Sequence, residues 1–396
     1  MLSLPMFLTS CEDILGEWSK PTPVNVIVTP DDNGGTTDTS NQYYKWDGTQ
    51  LAAEDIPAGA IEITDATTEL SGGVYIVKGN ITLSAIMLKV TGDSELILCD
   101  GTELKVNGPI EDSNTPTLYK LSIYGQKNNT GKLTATVDDA HGLWVKDLDI
   151  HGGDINITVN PTYAMNGINV DNNINIYGGK VVATADMAGI ENISGLALSQ
   201  FKIFGGDVTA IGRNAASGGW GIQGENITIS GASTKLTATG GDAPASSNGN
   251  GGHGIEGVLT VDGGTLVATG GQGDGTGKGG AGINGGATFN GGTITAIATK
   301  NLAILANNSN ITVKTGINSL KMTETTQSDA AAKQLSCWLK REGSTETFTF
   351  GTTDVTTDIV NGTTTITDGA SIDNYQNSGF DINRSGTSII ITPVAP

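Results

Sequence analysis

The stretch that decides the fold runs from Ile174 to Ala185 and reads INIYGGKVVATA, and a near copy, FKIFGGDVTAIG, begins at Phe201. Both stretches carry an apolar residue at every second place, then an aromatic ring, a Gly-Gly pair and a second alternating run. Alternation with period two is typical of β-strands that bury one face. Repetition at a fixed distance of about 20 to 50 residues is typical of solenoids, whose coils stack on one another.

The first glycine after each alternating run marks the period of the repeat. Subtraction of neighbouring positions gives steps of 27, 26, 27, 26, 32 and 28 residues for Gly125, Gly152, Gly178, Gly205, Gly231, Gly263 and Gly291. Each coil holds three short strands, A, B and C; in the coil that opens at Ile174 we place A at 174–177, B at 181–184 and C at 195–198. The sequence therefore predicts an all-β fold, a right-handed three-sided parallel β-helix.

The chain outside the repeats is less regular. Residues 16–42 are rich in Pro, Thr, Asp and Gly, which is typical of a flexible tether, and the tail breaks the period and is expected to cover the open end of the last coil. The predicted regions are a lipoprotein signal segment (1–10), a flexible linker (11–42), an irregular N-terminal cap with the first coils (43–110), the β-helix repeats (111–315) and a mixed, mostly β C-terminal cap (316–396).

Charge and the N-terminal residues restrict partners and location. The formal net charge of −20 argues against nucleic acid, which needs a basic face, and leaves divalent cations and sugars as partners. The segment Leu8-Thr9-Ser10-Cys11 resembles a bacterial lipobox, in which Cys11 is acylated. We therefore expect a monomer on the outer membrane, exposed at the cell surface and in contact with the membrane only through its lipid.

Two phrases carry a resemblance to a known family: NGINVDNNINIYGGKVVATA (166–185) and AGINGGATFNGGTITAIA (281–298). They resemble secreted bacterial carbohydrate-binding β-helix proteins, which are related in fold to pectate lyases, and the resemblance covers residues 74–314. It implies a solenoid that binds cellulose-like or acidic polysaccharides and calcium. These motifs are specific for the fold more than for a site, because Gly-Gly coils also occur in adhesins.

The leading candidate for a ligand platform is a column of rings on the outer face of the A strands. Tyr124, His151, Tyr177 and Phe204 each stand just before a Gly-Gly or Gly-x corner, so they are predicted to stack along the axis as an exposed aromatic column. The apolar face of a sugar packs well on such rings. The alternatives are a ladder that only stiffens the sheet, or one hidden under the tail. On strand C, Trp144 and Trp220 are candidates for a second sugar contact or for a solvated face.

Other chemistry has weaker support in the sequence. Calcium is the expected cofactor, with oxygen ligands from Asp138, Asp139, Asp171, Asp186 and Glu191 near the loops from B to C, because hard cations take six to eight oxygens. We expect no active site: Asp138 and Asp139 are neighbours on an extended segment and point to opposite sides. The function predicted is polysaccharide binding at the cell surface. An adhesin or structural surface protein is the main alternative, and a polysaccharide lyase or hydrolase is the third.

Overall fold

The computed structural model describes residues 41–111, 119–160, 164–192, 199–213, 217–245, 248–299, 301–305, 311–314 and 316–325, and the strands within 337–393. This part of the chain is all-β, with long sheets of stacked parallel strands that are compatible with a parallel β-helix. Within it no helix is long and apolar enough to cross a membrane. The signal segment and Cys11 lie outside the described residues.

The strands follow the order A, B, C along the chain. The B strands are Ile81–Thr82, Glu103–Val106, Lys132–Val137, Asp154–Val159, Lys180–Ala185, Asp207–Gly212, Lys235–Thr239, Thr265–Thr269, Gly292–Thr299 and Ile317–Thr325. The A strands are Lys120–Gly125, Asp147–Ile150, Asn173–Ile176, Gln200–Ile203, Ala287–Phe289 and Ile311–Lys314. The C strands are Ile110–Glu111, Leu143–Val145, Asn166–Val170, Ala188–Asn192, Ile283–Asn284 and Ile304–Leu305. Three longer strands each cover both a C and an A position: Leu88–Leu98, Trp220–Ile229 and Ile255–Val261. Two further strands, Ile61–Glu62 and Glu69–Val77, precede them.

The predicted stacking of like residues is confirmed. Ile150 pairs with Ile176, and Ile176 pairs with Ile203, in parallel register, and the row continues through Ile229, Val261 and Phe289. On the B strands the larger residue and the following alanine form two more rows, as in Val181 with Val208 and Ala183 with Ala210. All of these side chains are buried in one continuous hydrophobic core. Burial of these rows is the main favourable term for the fold.

One strand assignment from the sequence is wrong. The C strand of the coil that opens at Ile174 is Ala188–Asn192, which pairs with Asn166–Val170 on one side and Trp220–Ile229 on the other. Residues 195–198, where we placed it, lie outside the described residues. The physical reason is Gly189, because a Cβ there would lie 2.5 Å from the backbone nitrogen of Ile211. Only glycine lets the chain pass this close to the neighbouring B strand.

The corner between A and B requires glycine for a different reason. Gly179 and Gly206, the second members of their Gly-Gly pairs, have φ values of +82° and +90°. L side chains rarely adopt this left-handed region. Each would also bring a Cβ to 2.6 Å from a carbonyl oxygen of the preceding coil. The repeated Gly-Gly phrase is therefore a requirement of the backbone turn.

A second feature built by glycine is a pair of long loops with described residues 240–245, 248–254 and 270–281, which together we call the glycine flange. Backbone hydrogen bonds run from Gly241 N to Gly219 O (2.8 Å), from Gly252 N to Gly241 O (2.8 Å), from Gly271 N to Gly252 O (2.8 Å) and from Gly280 N to Gly271 O (2.7 Å). The loop segments that leave the B strands and those that return to the C strands thus alternate along one stack joined by hydrogen bonds. The described residues of these loops extend the coils and are held by main-chain atoms.

The last coil is followed by antiparallel strands. Ile311–Lys314 pairs with Thr347–Thr352, which pairs with Cys337–Arg341, and Ile317–Thr325 pairs with Ser388–Pro393. The strands Phe380–Ser385 and Tyr375–Asn377 extend the second of these sheets. Antiparallel pairing gives the backbone groups of the final parallel strands their hydrogen-bond partners, which an uncovered sheet edge lacks.

Candidate functional site

The four rings predicted to stack do so. The ring centroids of Tyr124 and His151 are 4.5 Å apart, those of His151 and Tyr177 are 4.7 Å apart, and those of Tyr177 and Phe204 are 5.1 Å apart, with interplanar angles of 12°, 21° and 10°. The parallel register of the A strands produces this column, since each ring follows an inward residue that lies over its counterpart in the next coil. We call these four residues the aromatic column.

The column is not exposed along its length, and here the sequence-based interpretation needs correction. Tyr124 is 2% and His151 is 5% exposed, while Tyr177 and Phe204 are partly exposed. The cover is an N-terminal hairpin of two antiparallel strands, β1 (Gln42–Trp46) and β2 (Leu51–Asp55). It comes from the opposite end of the chain to the tail that we considered as a cover.

Two aromatic residues of β1 hold the hairpin on the column. Tyr43 meets the Tyr124 ring edge-on at 5.0 Å, and Trp46 stacks on Tyr177 at 5.0 Å and on Phe204 at 5.6 Å. The backbone nitrogen of Trp46 also donates to Nδ1 of His151 at 3.0 Å. Aromatic pairs at these distances contribute about 0.5 to 1.5 kcal/mol each beyond the area that they bury.

The sequence contains a signal for this hairpin that our interpretation missed. Asp47-Gly48 lies between two short runs with strand-like residues, and an Asp-Gly pair in that position favours a tight hairpin turn. The Asp47 carboxylate accepts hydrogen bonds from the Thr49 and Gln50 nitrogens at 2.8 and 2.9 Å, which closes the turn. The sequence alone does not say where such a hairpin docks.

A cleft of about 310 Å³ opens beside the hairpin, on the outer face of the first A strands. Its aromatic wall consists of Trp46, Tyr124, His151 and Tyr177. The polar wall consists of Lys45 from β1 and of polar residues that precede the ring positions along the strands: Asp93, Ser94, Glu95, Lys120, Ser122 and Asp149. Strand pairing brings three of these outward residues into one row, because Glu95 lies opposite Ser122 and Ser122 opposite Asp149.

The charges in the cleft are arranged in pairs. Lys45 Nζ lies 3.5 Å from Glu95 Oε1, and Lys120 Nζ lies 2.5 Å from Asp149 Oδ2. Asp149 also accepts a hydrogen bond from Asn175 Nδ2 at 2.8 Å, so both of its oxygens are occupied. Asp93 Oδ1 accepts from the Lys120 backbone nitrogen at 2.9 Å. These bonds fix the long side chains in place and define the polar wall.

The titratable rings of the column are neutral near pH 7. Burial, opposed by the negative charge of Asp149 and assisted by the positive charges of Lys45 and Lys120, lowers the pKa of His151 to about 4. Because Nδ1 accepts the Trp46 N–H, the imidazole proton is on Nε2. Burial also raises the pKa of the Tyr124 hydroxyl well above its usual range. The column therefore presents uncharged rings to whatever enters the cleft.

The two tryptophans predicted on strand C lie apart from the cleft. Trp144 donates from Nε1 to Asp171 Oδ1 at 3.0 Å and meets the His141 ring at 5.4 Å. Trp220 pairs with Ala188, at the position that His141 holds in its own coil. Neither residue lines the cleft. Sugar contacts by these tryptophans stay a prediction.

The acidic residues proposed for calcium do not form one cluster. Asp138 accepts from Asn160 Nδ2 at 2.8 Å, Asp171 is bonded to Trp144, Asp139 is exposed, and Asp186 is buried, which raises its pKa. Glu191 is also desolvated, and its pKa is raised. Over the described ranges no group of three or more His, Cys, Asp or Glu side chains is placed to hold a metal ion. Calcium binding stays a prediction without a defined site.

Comparison with known proteins found no matching family model, no matching curated protein and no matching solved structure. The likeness to carbohydrate-binding β-helix proteins therefore depends on the two phrases at 166–185 and 281–298 and on the stacked parallel strands. The site must be interpreted from its own geometry.

Proposed function

We propose that this chain is a cell-surface lipoprotein that binds polysaccharide in the cleft between the hairpin and the aromatic column, on a right-handed three-sided β-helix. The observation that carries the proposal is the pairing of an aromatic wall with a wall of ordered polar groups in a cleft of about 310 Å³. This volume is at the lower end of the range for small-ligand pockets, about 300 to 1,000 Å³. It suits one or two sugar rings of a longer chain.

The chemistry of a sugar ring matches both walls. Its C–H face is apolar and packs on aromatic rings, while its hydroxyl groups donate and accept hydrogen bonds. In the cleft, the partly exposed Trp46 and Tyr177 supply the rings, and Lys45, Glu95 and Asp93 supply donors and acceptors. This moves the proposed binding surface from the column as a whole to the part of it that the hairpin leaves accessible.

A lipid anchor at Cys11 would serve the same function. Acylation of Cys11 would tether the solenoid to the outer membrane through the segment 11–41, with the cleft beside the first coils. An anchored binder keeps captured polysaccharide at the cell surface. Cleavage and acylation at Cys11 are tested by mass spectrometry of the membrane-bound chain.

The main alternative is a structural surface protein or adhesin. The observation that favours it is the cover on Tyr124 and His151: a column packed by the chain's own hairpin stiffens the first coils whether or not a ligand binds. Polysaccharide binding requires the accessible ring of Tyr177 to contact the ligand, whereas a structural role requires only that this ring packs on its neighbours.

Retention of the full chain on immobilised polysaccharides tests the proposal, with Tyr177→Ala and Phe204→Ala as a matched pair. Both rings belong to the column and both stack on Trp46, but only Tyr177 lines the cleft. Tyr177→Ala is expected to weaken binding about tenfold, since a lost stacking contact is worth about 1.5 kcal/mol, and Phe204→Ala is expected to retain most of it. Equal binding by Tyr177→Ala and the unaltered chain, with both folded by circular dichroism, would exclude the cleft.

A further inference from the structure

The pairing of the charged side chains in the cleft indicates which class of sugar binds there, provided that the proposed function holds. Both lysines in the cleft already face a carboxylate: Lys45 faces Glu95 at 3.5 Å and Lys120 faces Asp149 at 2.5 Å. Asp93 adds a third negative group. The described lining residues thus carry two positive and three negative charges, a net of −1, within a chain of net charge −20.

Among the described residues that line the cleft, no cation is left unpaired for an anionic sugar to bind. Its carboxylate or sulfate would have to separate Lys45 from Glu95 or Lys120 from Asp149, and the displaced carboxylate would be left beside the new anion without its partner, which opposes binding. His151 offers no positive charge either, because its Nδ1 accepts the Trp46 N–H at 3.0 Å. The surrounding field repels anions as well.

A neutral sugar meets a complementary set of groups. Each lysine ammonium has three N–H donors, of which the ion pair uses one. Glu95 and Asp93 each bring a second carboxylate oxygen that makes no hydrogen bond to the described residues. A vicinal pair of hydroxyl groups can accept from a lysine and donate to one of these oxygens without separating either ion pair.

We propose that the cleft selects neutral polysaccharides, with Glu95 and Asp149 as the residues that exclude uronic and sulfated sugars by holding the two lysines. The carboxylates are specificity-determining because they neutralise the cations that an acidic sugar would use. Their ion pairs also keep the long lysine side chains in one orientation, which lowers the entropy cost of binding hydroxyl groups.

The first test compares neutral hexose oligosaccharides with oligogalacturonates, titrated into the full chain by calorimetry. The neutral class is expected to bind at least tenfold more tightly, with an affinity that changes little between about 0.05 and 0.5 M salt, because no net charge is transferred. Tighter, salt-sensitive binding of the oligogalacturonates would overturn the inference and leave polysaccharide binding in place. Binding of neither class would overturn the proposed function itself.

The second test uses Glu95→Gln with Glu103→Gln as its control. Glu95 and Glu103 are similarly exposed, at 31% and 27%, and each pairs with a lysine, at 3.5 and 3.4 Å, but Glu103 lies on a B strand outside the cleft. Glu95→Gln releases Lys45 and brings the net charge of the lining from −1 to 0. It is expected to raise affinity for oligogalacturonate at least threefold, while Glu103→Gln leaves it unchanged. Equal behaviour of the two variants would show that the pairing does not set the specificity.

Discussion

The aromatic column and the glycine flange are two ways of joining successive coils, and they differ in which atoms make the contacts. In the column the contacts are side chain on side chain, from Tyr124 at one end to Phe204 at the other. In the flange the contacts are backbone on backbone, and a Cβ on Gly252 would lie 1.9 Å from the carbonyl oxygen of Gly219. The contacts of the column are therefore made by side chains that can be replaced, whereas the flange has no space for a side chain at Gly252.

This contrast bears on where ligands are expected. Loops often carry function, and the long B-to-C loops were natural candidates from the sequence. In the structure the two longest of them are bonded into the flange by their own main chain. The cleft lies instead on the flat outer face of the A strands, where a separate hairpin supplies the second wall.

The largest effect should come from placing a side chain in the flange. Gly252→Ala puts a methyl group against the backbone of Gly219, which cannot move without breaking the hydrogen bond from Gly241 N to Gly219 O. We expect the free energy of unfolding to fall by about 3 kcal/mol or more. Denaturant titration checks this. Gly79→Ala is the control, because a Cβ there meets nothing within 4 Å. An equal loss of stability in both variants would show that the close contacts in the flange do not cause the destabilisation.

The column should lose its cover when its main hairpin contact is removed. Trp46→Ala deletes both ring contacts, to Tyr177 and to Phe204, and is expected to cost the hairpin about 2 to 3 kcal/mol of local stability. Hydrogen exchange at residues 42–55 should then accelerate while the A strands beneath stay protected.

Trp144→Ala is the matched control for that measurement. Trp144 is also a partly buried tryptophan, but its contacts are to Asp171 and His141 and not to the hairpin. Exchange at 42–55 should be unchanged in this variant. If Trp46→Ala leaves the hairpin as protected as before, the stacking on the column is not what holds it.

The smallest of these effects is the change with pH in the free energy of unfolding that His151 of the aromatic column contributes. The folded-state pKa of His151, about 4, lies below the ordinary value of 6.5, so the unfolded chain binds its proton first as the pH falls. The stabilising contribution of neutral His151 is present above pH 6.5 and is lost progressively as the pH falls to about 4. Between pH 7 and 5 the loss is about 2 kcal/mol.

His141 and His253 also have lowered pKa values, so the measurement must isolate His151. His151→Gln keeps an acceptor for the Trp46 N–H but does not titrate. The difference in stability between the unaltered chain and this variant should therefore shrink or reverse as the pH falls from 7 to 5. A constant difference over that range would show that His151 does not carry the effect.

Much of the fold could be predicted because it repeats. A single alternating phrase is ambiguous, but the row from Ile150 to Phe289 recurs at nearly constant spacing, and only stacked coils bury all of its members at once. The C strands were harder to place because they are short. The residue that decides the position, Gly189, is one of 57 glycines and does not stand out in the sequence. Its role becomes visible only when the neighbouring B strand is known to lie 2.5 Å from where a Cβ would be.

The site was predictable only in part. The four rings of the column share one place in the repeat, so period alone brings them together. Trp46 lies outside the repeat, and nothing in its spacing predicts that Trp46 reaches His151 and Tyr177, more than a hundred residues later, or that the neighbouring Lys45 reaches Glu95.

The sequence by itself determined which residues lie over one another in the stacked parallel strands, because each repeat must align its apolar rows with those of the repeat before it. Only the tertiary structure decided that a hairpin covers the column and opens a cleft beside it. The docking of a non-repeating segment depends on the shape and charge of a surface that exists only after the coils have stacked.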